Sequence, residues 1–249
     1  MQQISLLEYQ ITKDYQFKGI PNKQLIINTI NAFSWINAHK DIEFKTALQT
    51  SDILLPDGIA IVFAAKFLNN DSIKKIAGAD LHEMILNTLN QISGKCFYLG
   101  AAPETLKKIQ KRIQQEYPNI IVDSYSPPYK DTFTQEDNRI MIETINKFEP
   151  DVLFVGMTAP KQEKWIHENK SQIKASVITG IGAVFDFYAG TKKRPNQWLI
   201  SHGLEWLGRL VDDPIRLWKR YLIYSPQFFF HVLKIKIEDK LHSLYLHNS

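Results

Sequence analysis

Apolar residues gather in five short runs along this chain, each followed by a turn of small residues and, in four of the five, by helical spacing. Residues 24–29 lead to Asn31 and a helix. Residues 52–55 lead to Pro56-Asp57-Gly58 and the helical stretch IAIVFAAKFLN. Residues 95–99 lead to Gly100-Ala101-Ala102-Pro103 and ETLKKIQKRIQQEY. Residues 151–155 lead to Gly156-Met157-Thr158-Ala159-Pro160 and KQEKWIHENK, and residues 176–179 lead to Gly180-Ile181-Gly182. Near-continuous apolar strands alternating with helices predict an α/β fold, a Rossmann-like parallel sheet flanked by helices. The first 20 residues read as one or two strands of uncertain place, and SPPY after Ser124-Tyr125 reads as a rigid loop before the next helix.

From about Arg194 the strand–helix rhythm stops and helices follow, with Pro214 and Pro226 at starts or breaks. This predicts two parts: a core over residues 1–193 and a helical C-terminal appendage over 194–249.

Composition changes the picture mainly in that appendage. With 44% apolar and 22% charged residues the chain reads as an ordinary globular protein. The single Cys96 excludes an internal disulfide framework, suits a reducing compartment and sits in a buried-strand context. The N-terminus has no secretory pattern, and no run approaches the roughly 18 uninterrupted apolar residues of a membrane span. Residues 190–249, however, hold ten Lys/Arg against five Asp/Glu, while the whole chain is only +4. The excess lies among Trp198, Trp206, Trp218, Tyr221, Tyr224 and Phe228-Phe229-Phe230, a mixture suited to a surface that is both anionic and greasy. A membrane, if it matters, is met peripherally.

Candidate chemistry is sparse. Asp57 ends a buried strand in a Pro-Asp-Gly turn: turn preference alone accounts for it, and so does a carboxylate placed to take a proton from a nucleophile. Gly180-Ile181-Gly182 is a weak dinucleotide loop lacking the third glycine. No GxxxxGK[ST] loop, DxD triplet, zinc spacing or GxSxG elbow occurs, so no metal is signalled and no cofactor is called for. Pro160-Lys161-Gln162-Glu163 opens a helix, whose free N–H groups can hold an anion. Arg216 and Arg220 are spaced i, i+4 with Lys219 beside them, which fits either a solvated basic face or an anion grip.

The segments LPDGIAIVFAAKFL, KKIAGADL, FYLGAAPE, VGMTAPKQEKWI and FDFYAGTKKRPNQW…GLEWLGRLVDDPIRLWKRYL together resemble the WecG/TagA/CpsF family of bacterial glycosyltransferases. The resemblance covers roughly residues 28–224. It implies transfer of a sugar, of the N-acetylmannosamine type or a related hexose or uronic acid, from a UDP-sugar to an undecaprenyl-diphosphate-linked saccharide. The reaction is implied to be inverting and metal-independent, on the inner face of the cytoplasmic membrane, in surface polysaccharide or teichoic-acid-like assembly. Asp57 matches the family's general base, Thr29 and Asn31 polar residues beside it, Gln162 a pocket glutamine and Asp186 an acidic residue of the FDF turn. Arg209, Arg216 and Lys219 or Arg220 match basic residues that would hold the lipid diphosphate or the leaving UDP.

Three departures stand out. Lys75 replaces a frequent arginine and loses its bidentate fork, Thr158 stands where glycine is frequent, and the N-terminal region is shorter. The partners implied are the UDP-sugar, a polyprenyl-diphosphate-linked acceptor and a membrane surface, with no nucleic acid; a homo-oligomer is left open. Two other readings compete. One is a Rossmann-like NAD- or SAM-dependent enzyme resting on GIGAVF. The other is a non-enzymatic polyanion- or membrane-binding module resting on the basic tail. Thermal shifts with NAD, S-adenosylmethionine and UDP discriminate among them.

Overall fold

The computed structural model describes residues 2–193 and 195–247; Arg194, at the expected boundary, lies outside the described residues. An N-terminal hairpin pairs β1 (Gln3–Leu6) antiparallel with β2 (Tyr9–Thr12). There follow β3 (Leu25–Ile30), α1 (Ala32–Ala38), α2 (Ile42–Gln49), β4 (Ile53–Pro56), α3 (Ile59–Asn69) and α4 (Gly78–Ile92). Next come β5 (Lys95–Gly100), α5 (Pro103–Glu116), β6 (Ile121–Tyr125), α6 (Gln135–Phe148), β7 (Val152–Gly156), α7 (Lys161–Asn169), β8 (Val177–Gly180) and α8 (Val184–Tyr188). Beyond residue 194 stand α9 (Gln197–Ser201), α10 (Glu205–Asp212), α11 (Pro214–Trp218), a π-helical stretch Lys219–Tyr224, and α12 (Ser225–His247). No helix among the described residues is long and apolar enough to cross a membrane.

The six strands β3–β8 form one parallel sheet in the order β4-β3-β8-β7-β5-β6. Each of the five expected strands is present within a residue or so of its expected bounds. The sixth, β6, has no uninterrupted apolar run. It is one of the two edge strands, and its sequence IVDSY stays half-exposed, whereas the other edge, β4, is buried under the N-terminal hairpin and its cluster. Alternate residues of the sheet feed two cores. Ile27, Tyr98, Phe154 and Val177 meet α4 and α5 on one face, while Phe97, Leu153, Val155 and Ile178 meet α6 and α7 on the other. Cys96 is fully buried in β5, where burial pushes its thiol pKa up and leaves it unreactive.

A third core fixes the appendage. The hairpin residues Leu6, Tyr9 and Ile11 pack with Trp35, Ile36, Leu54 and Ile61, and α12 inserts Phe228 and Val232 into the same cluster. The Phe228 ring meets Trp35 edge-on at 5.4 Å, a favoured aromatic geometry. The long C-terminal helix is thus anchored on the β4 side of the sheet, next to the strand that carries Asp57.

Candidate active site

β3 and β4 are neighbours in register, Ile30 beside Pro56, so their carboxyl ends deliver Asn31 and Asp57 to the same place. The backbone N–H of Asp57 donates to the carbonyl of Ile30 at 2.8 Å, extending the ladder one residue past β4. Gly58 then turns the chain with φ +95°, which an L side chain resists. α3 starts at Gly58 without a side-chain cap. The glycine therefore does the turning, and the Asp57 carboxylate is left out of the turn. It faces Asn31, whose Nδ2 approaches its Oδ2 at 3.5 Å. Asn31 is itself held because its Oδ1 caps α1, accepting from the N–H of Ser34 at 3.0 Å.

Asp57 lies in a cleft of about 320 Å³ roofed by the appendage. Core residues Asn31, Phe33, Ile59 and Lys75 line one side, and Glu205, Trp206, Arg209, Arg220, Tyr221 and Phe229 the other. Burial raises the Asp57 carboxyl above its ordinary pKa. Arg220 and, more weakly, Arg209 and the Asn31 hydrogen bond pull it down, while Glu205 adds to the rise. Arg220 lies with its guanidinium 5.0 Å from the Phe33 ring and 5.7 Å from the Tyr221 ring. Arg209 stands 5.3 Å from Phe187 of α8, which ties the cleft to the FDF turn. Lys75 pairs with Glu205 across the cleft, Nζ to Oε2 at 3.1 Å.

Five expected site residues thus converge: Asn31, Asp57, Lys75, Arg209 and Arg220. Arg216 and Lys219 do not line the cleft. Arg216 is exposed and bound to Asp213 at 2.8 Å, and Lys219 is exposed beside Trp218. Arg216 and Arg220 remain near enough to repel one another, yet only Arg220 lines the cleft, while Arg216 turns to Asp213. The helix passes from α to π geometry at Lys219, between the two.

Thr29, Gln162 and Asp186 also stand outside this cleft. Thr29 is on β3 in register with Leu55, two residues before Asn31. Gln162 is buried in the first turn of α7 against Gly180 at the end of β8, its Nε2 donating to Glu163 Oε1 at 2.9 Å, its Oε1 unpartnered. A Cβ at Gly180 would lie 2.9 Å from that Nε2, and one at Gly156 only 2.4 Å from the Phe185 ring. The glycines of this region are explained by close packing, so no dinucleotide fingerprint is required. Asp186 opens α8, accepting from Thr191 Oγ1 at 3.3 Å.

Polar groups at strand ends, facing arginines on a roof, give a cleft whose charges suit an anionic ligand. Comparison with known proteins gives the family. The family model of the glycosyl transferase WecG/TagA/CpsF family matches residues 7–241. The chain belongs to that family.

Family membership makes this protein a glycosyltransferase. Its curated relatives in this WecG/TagA/CpsF group include an N-acetylglucosaminyldiphosphoundecaprenol N-acetyl-beta-D-mannosaminyltransferase of Bacillus subtilis (strain 168), 34% identical over 209 residues, 84% of this chain and 79% of the relative. The enzyme of the same name from Bacillus spizizenii (strain ATCC 23059 / NRRL B-14472 / W23) is 32% identical over 86% of this chain and 80% of its own. That of Staphylococcus aureus (strain NCTC 8325 / PS 47) is 30% identical over 78% and 73%.

Two carboxylates that the sequence did not single out stand out in this WecG/TagA/CpsF protein, one inside the cleft and one outside it. Glu205 brings a second carboxylate into the Asp57 cleft, and it stood in plain view in GLEWLGRL beside the arginines. Glu163, next to Gln162, is buried with one oxygen unpartnered, and burial raises its pKa to about 7. Its helical position gave no signal, since glutamate is an ordinary first-turn residue.

Proposed function

We propose that this glycosyltransferase moves an N-acetylmannosamine-type sugar, or a related hexose or uronic acid, from a UDP-sugar to a saccharide carried on polyprenyl diphosphate. Asp57 is the general base. It takes the proton of the acceptor hydroxyl as that oxygen attacks the anomeric carbon, the bond to UDP breaks with its electron pair, and the configuration inverts. Arg220, Arg209 and Lys75 neutralise phosphate charge in the cleft. Thr29, Gln162 and Asp186, at the carboxyl end of β3, against that of β8 and at the start of α8, belong to the donor side. Arg216 and Lys219 act outside the cleft, toward anionic lipid.

The observation that supports this most is the carboxylate of Asp57, released from its turn by Gly58 and facing two arginines across the cleft. The named acceptor of the relatives, a diphosphoundecaprenol sugar, has the matching charge. The division of labour follows: residues 1–193 bind the donor and supply the base, and residues 194–249 roof the cleft and meet the membrane. Ile215 and Phe230, 90% and 67% exposed, and Trp198, Trp218 and Leu222 are the apolar contacts of that peripheral attachment at the inner face of the cytoplasmic membrane. UDP release from UDP-N-acetylmannosamine with a synthetic N-acetylglucosaminyl-diphosphate lipid tests the reading. Turnover that needs both substrates is expected, and release with no dependence on the lipid-linked acceptor would contradict it.

A further inference from the structure

α3 begins at the cleft and runs away from it, and its outward side is apolar at four-residue spacing: Ile59, Phe63 and Phe67. Eight residues of helix span about 12 Å, so these side chains form one continuous stripe. Ile59 and Phe63 remain 50% and 45% exposed on a helix whose other side, Ile61, Ala64 and Ala65, is buried. Phe63 stacks on Phe67 at 5.4 Å and meets Phe229 of α12 edge-on, also at 5.4 Å. Ile59 and Phe229 are at the same time lining residues of the cleft that holds Asp57 and Arg220. The stripe is therefore an extension of the cleft, with α3 as one wall and α12 as the other. It closes at its far end, where Lys236 lies 5.8 Å from the Phe67 ring and its Nζ donates to the carbonyl of Leu68 at 2.9 Å.

We propose that this furrow binds the first isoprene units of the acceptor's polyprenyl chain, on the core helix α3 as well as on the appendage. The inference rests on the acceptor reading of the cleft given above. An acceptor of that class has three successive parts: a sugar hydroxyl, a diphosphate and an unbroken hydrocarbon. The cleft and its extension offer a carboxylate, two arginines with Lys75, and an apolar wall that continues past them along α3 and α12. A chain leaving a phosphate held by Arg220 has no polar group to place, so covering Ile59, Phe63 and Phe229 removes apolar surface of both partners from water. Gripping the first units here draws the diphosphate out of the headgroup plane toward Asp57, which simple adhesion to a membrane would not do.

The test is a series of N-acetylglucosaminyl diphosphates bearing one isoprene unit, farnesyl, or longer chains, assayed by UDP release without membranes. The wild-type protein should gain in kcat/KM from the shortest to the farnesyl acceptor. In Phe63→Ser the ratio between those two acceptors should fall about tenfold, as expected for apolar area left uncovered, and Phe63→Leu should restore it. Co-sedimentation of Phe63→Ser with vesicles of phosphatidylglycerol should match the wild type. A kcat/KM independent of chain length, or a Phe63→Ser ratio equal to the wild-type ratio, would overturn the furrow. Loss of vesicle binding in parallel with the ratio would make it a membrane-contact patch and overturn it too. Failure of the function reading looks different: no UDP release with any acceptor, which would remove this inference with it.

Discussion

Lys75 and Glu205 meet at 3.1 Å across the cleft, and this ion pair joins the core to the appendage within reach of the proposed base. Both side chains are mostly shielded from water, so the pair is more than a surface bridge. Glu205 is also a like charge for Asp57, and raises its proton affinity on top of burial. Replacing Glu205 by Gln removes that repulsion and frees the Lys75 cation, and both changes favour ionised Asp57. The acidic limb of the kcat–pH profile should therefore move to lower pH, with a lower plateau because a weaker base remains. An unmoved limb would mean that Glu205 is only a fastening.

Two arginines that look equivalent in sequence have different surroundings: Arg220 lines the cleft and Arg216 pairs with Asp213. Arg220 faces Asp57 in the cleft, so Arg220→Ala should lower kcat by about 10²–10³-fold, the usual loss when a donor to developing charge is removed. Arg216→Ala, at an exposed residue tied to Asp213, should keep kcat within a few-fold on a soluble acceptor. Steady-state kinetics of both variants decide it.

The buried Glu163 should make stability depend on pH. Its pKa is raised by burial to about 7 from an ordinary 4.5. Below 4.5 the group is neutral in both folded and unfolded chains. Between 4.5 and 7 only the folded chain keeps the proton, so stability falls as pH rises through that window and levels off above it. Glu163→Gln should remove this fall, worth up to about 3 kcal/mol, while keeping an acceptor for Gln162. Denaturant midpoints at pH 5 and pH 8 measure the difference.

Phe228 tests whether the appendage is part of the fold. It is fully buried among Trp35, Ile61 and the hairpin residues. Phe228→Ala should cost about 3–5 kcal/mol and lower the thermal midpoint of the whole protein. A separate, low-temperature transition of the appendage alone would argue for an independent unit.

Much of this architecture is legible in the chain because its strands are buried on both faces, and burial on both faces leaves uninterrupted apolar runs. The edge strand β6 is not, since none of the five residues of IVDSY is fully buried and polar residues are tolerated there. The site was legible where a residue's place follows from its strand: Asn31 and Asp57 come from the ends of adjacent strands. It was not legible where the backbone departs from regular geometry. The spacing of Arg216 and Arg220 reads as one helix face and does not say which of the two the cleft takes, and nothing in KRYLIY announces a π turn. The docking of Phe228 and the partnership of Lys75 with Glu205, 130 residues away, are long-range facts that no local pattern encodes.

The central claim is that Asp57 accepts the acceptor's proton in a cleft completed by the appendage. Asp57→Asn keeps the size of the side chain and the neighbour Asn31, and removes only the base. The direct measurement is the rate of UDP release by this variant with saturating UDP-sugar and lipid-linked acceptor, alongside its affinity for UDP. The account predicts a loss of about 10²–10⁴-fold in kcat with UDP affinity and thermal midpoint close to wild type. Turnover within a few-fold of wild type would contradict it.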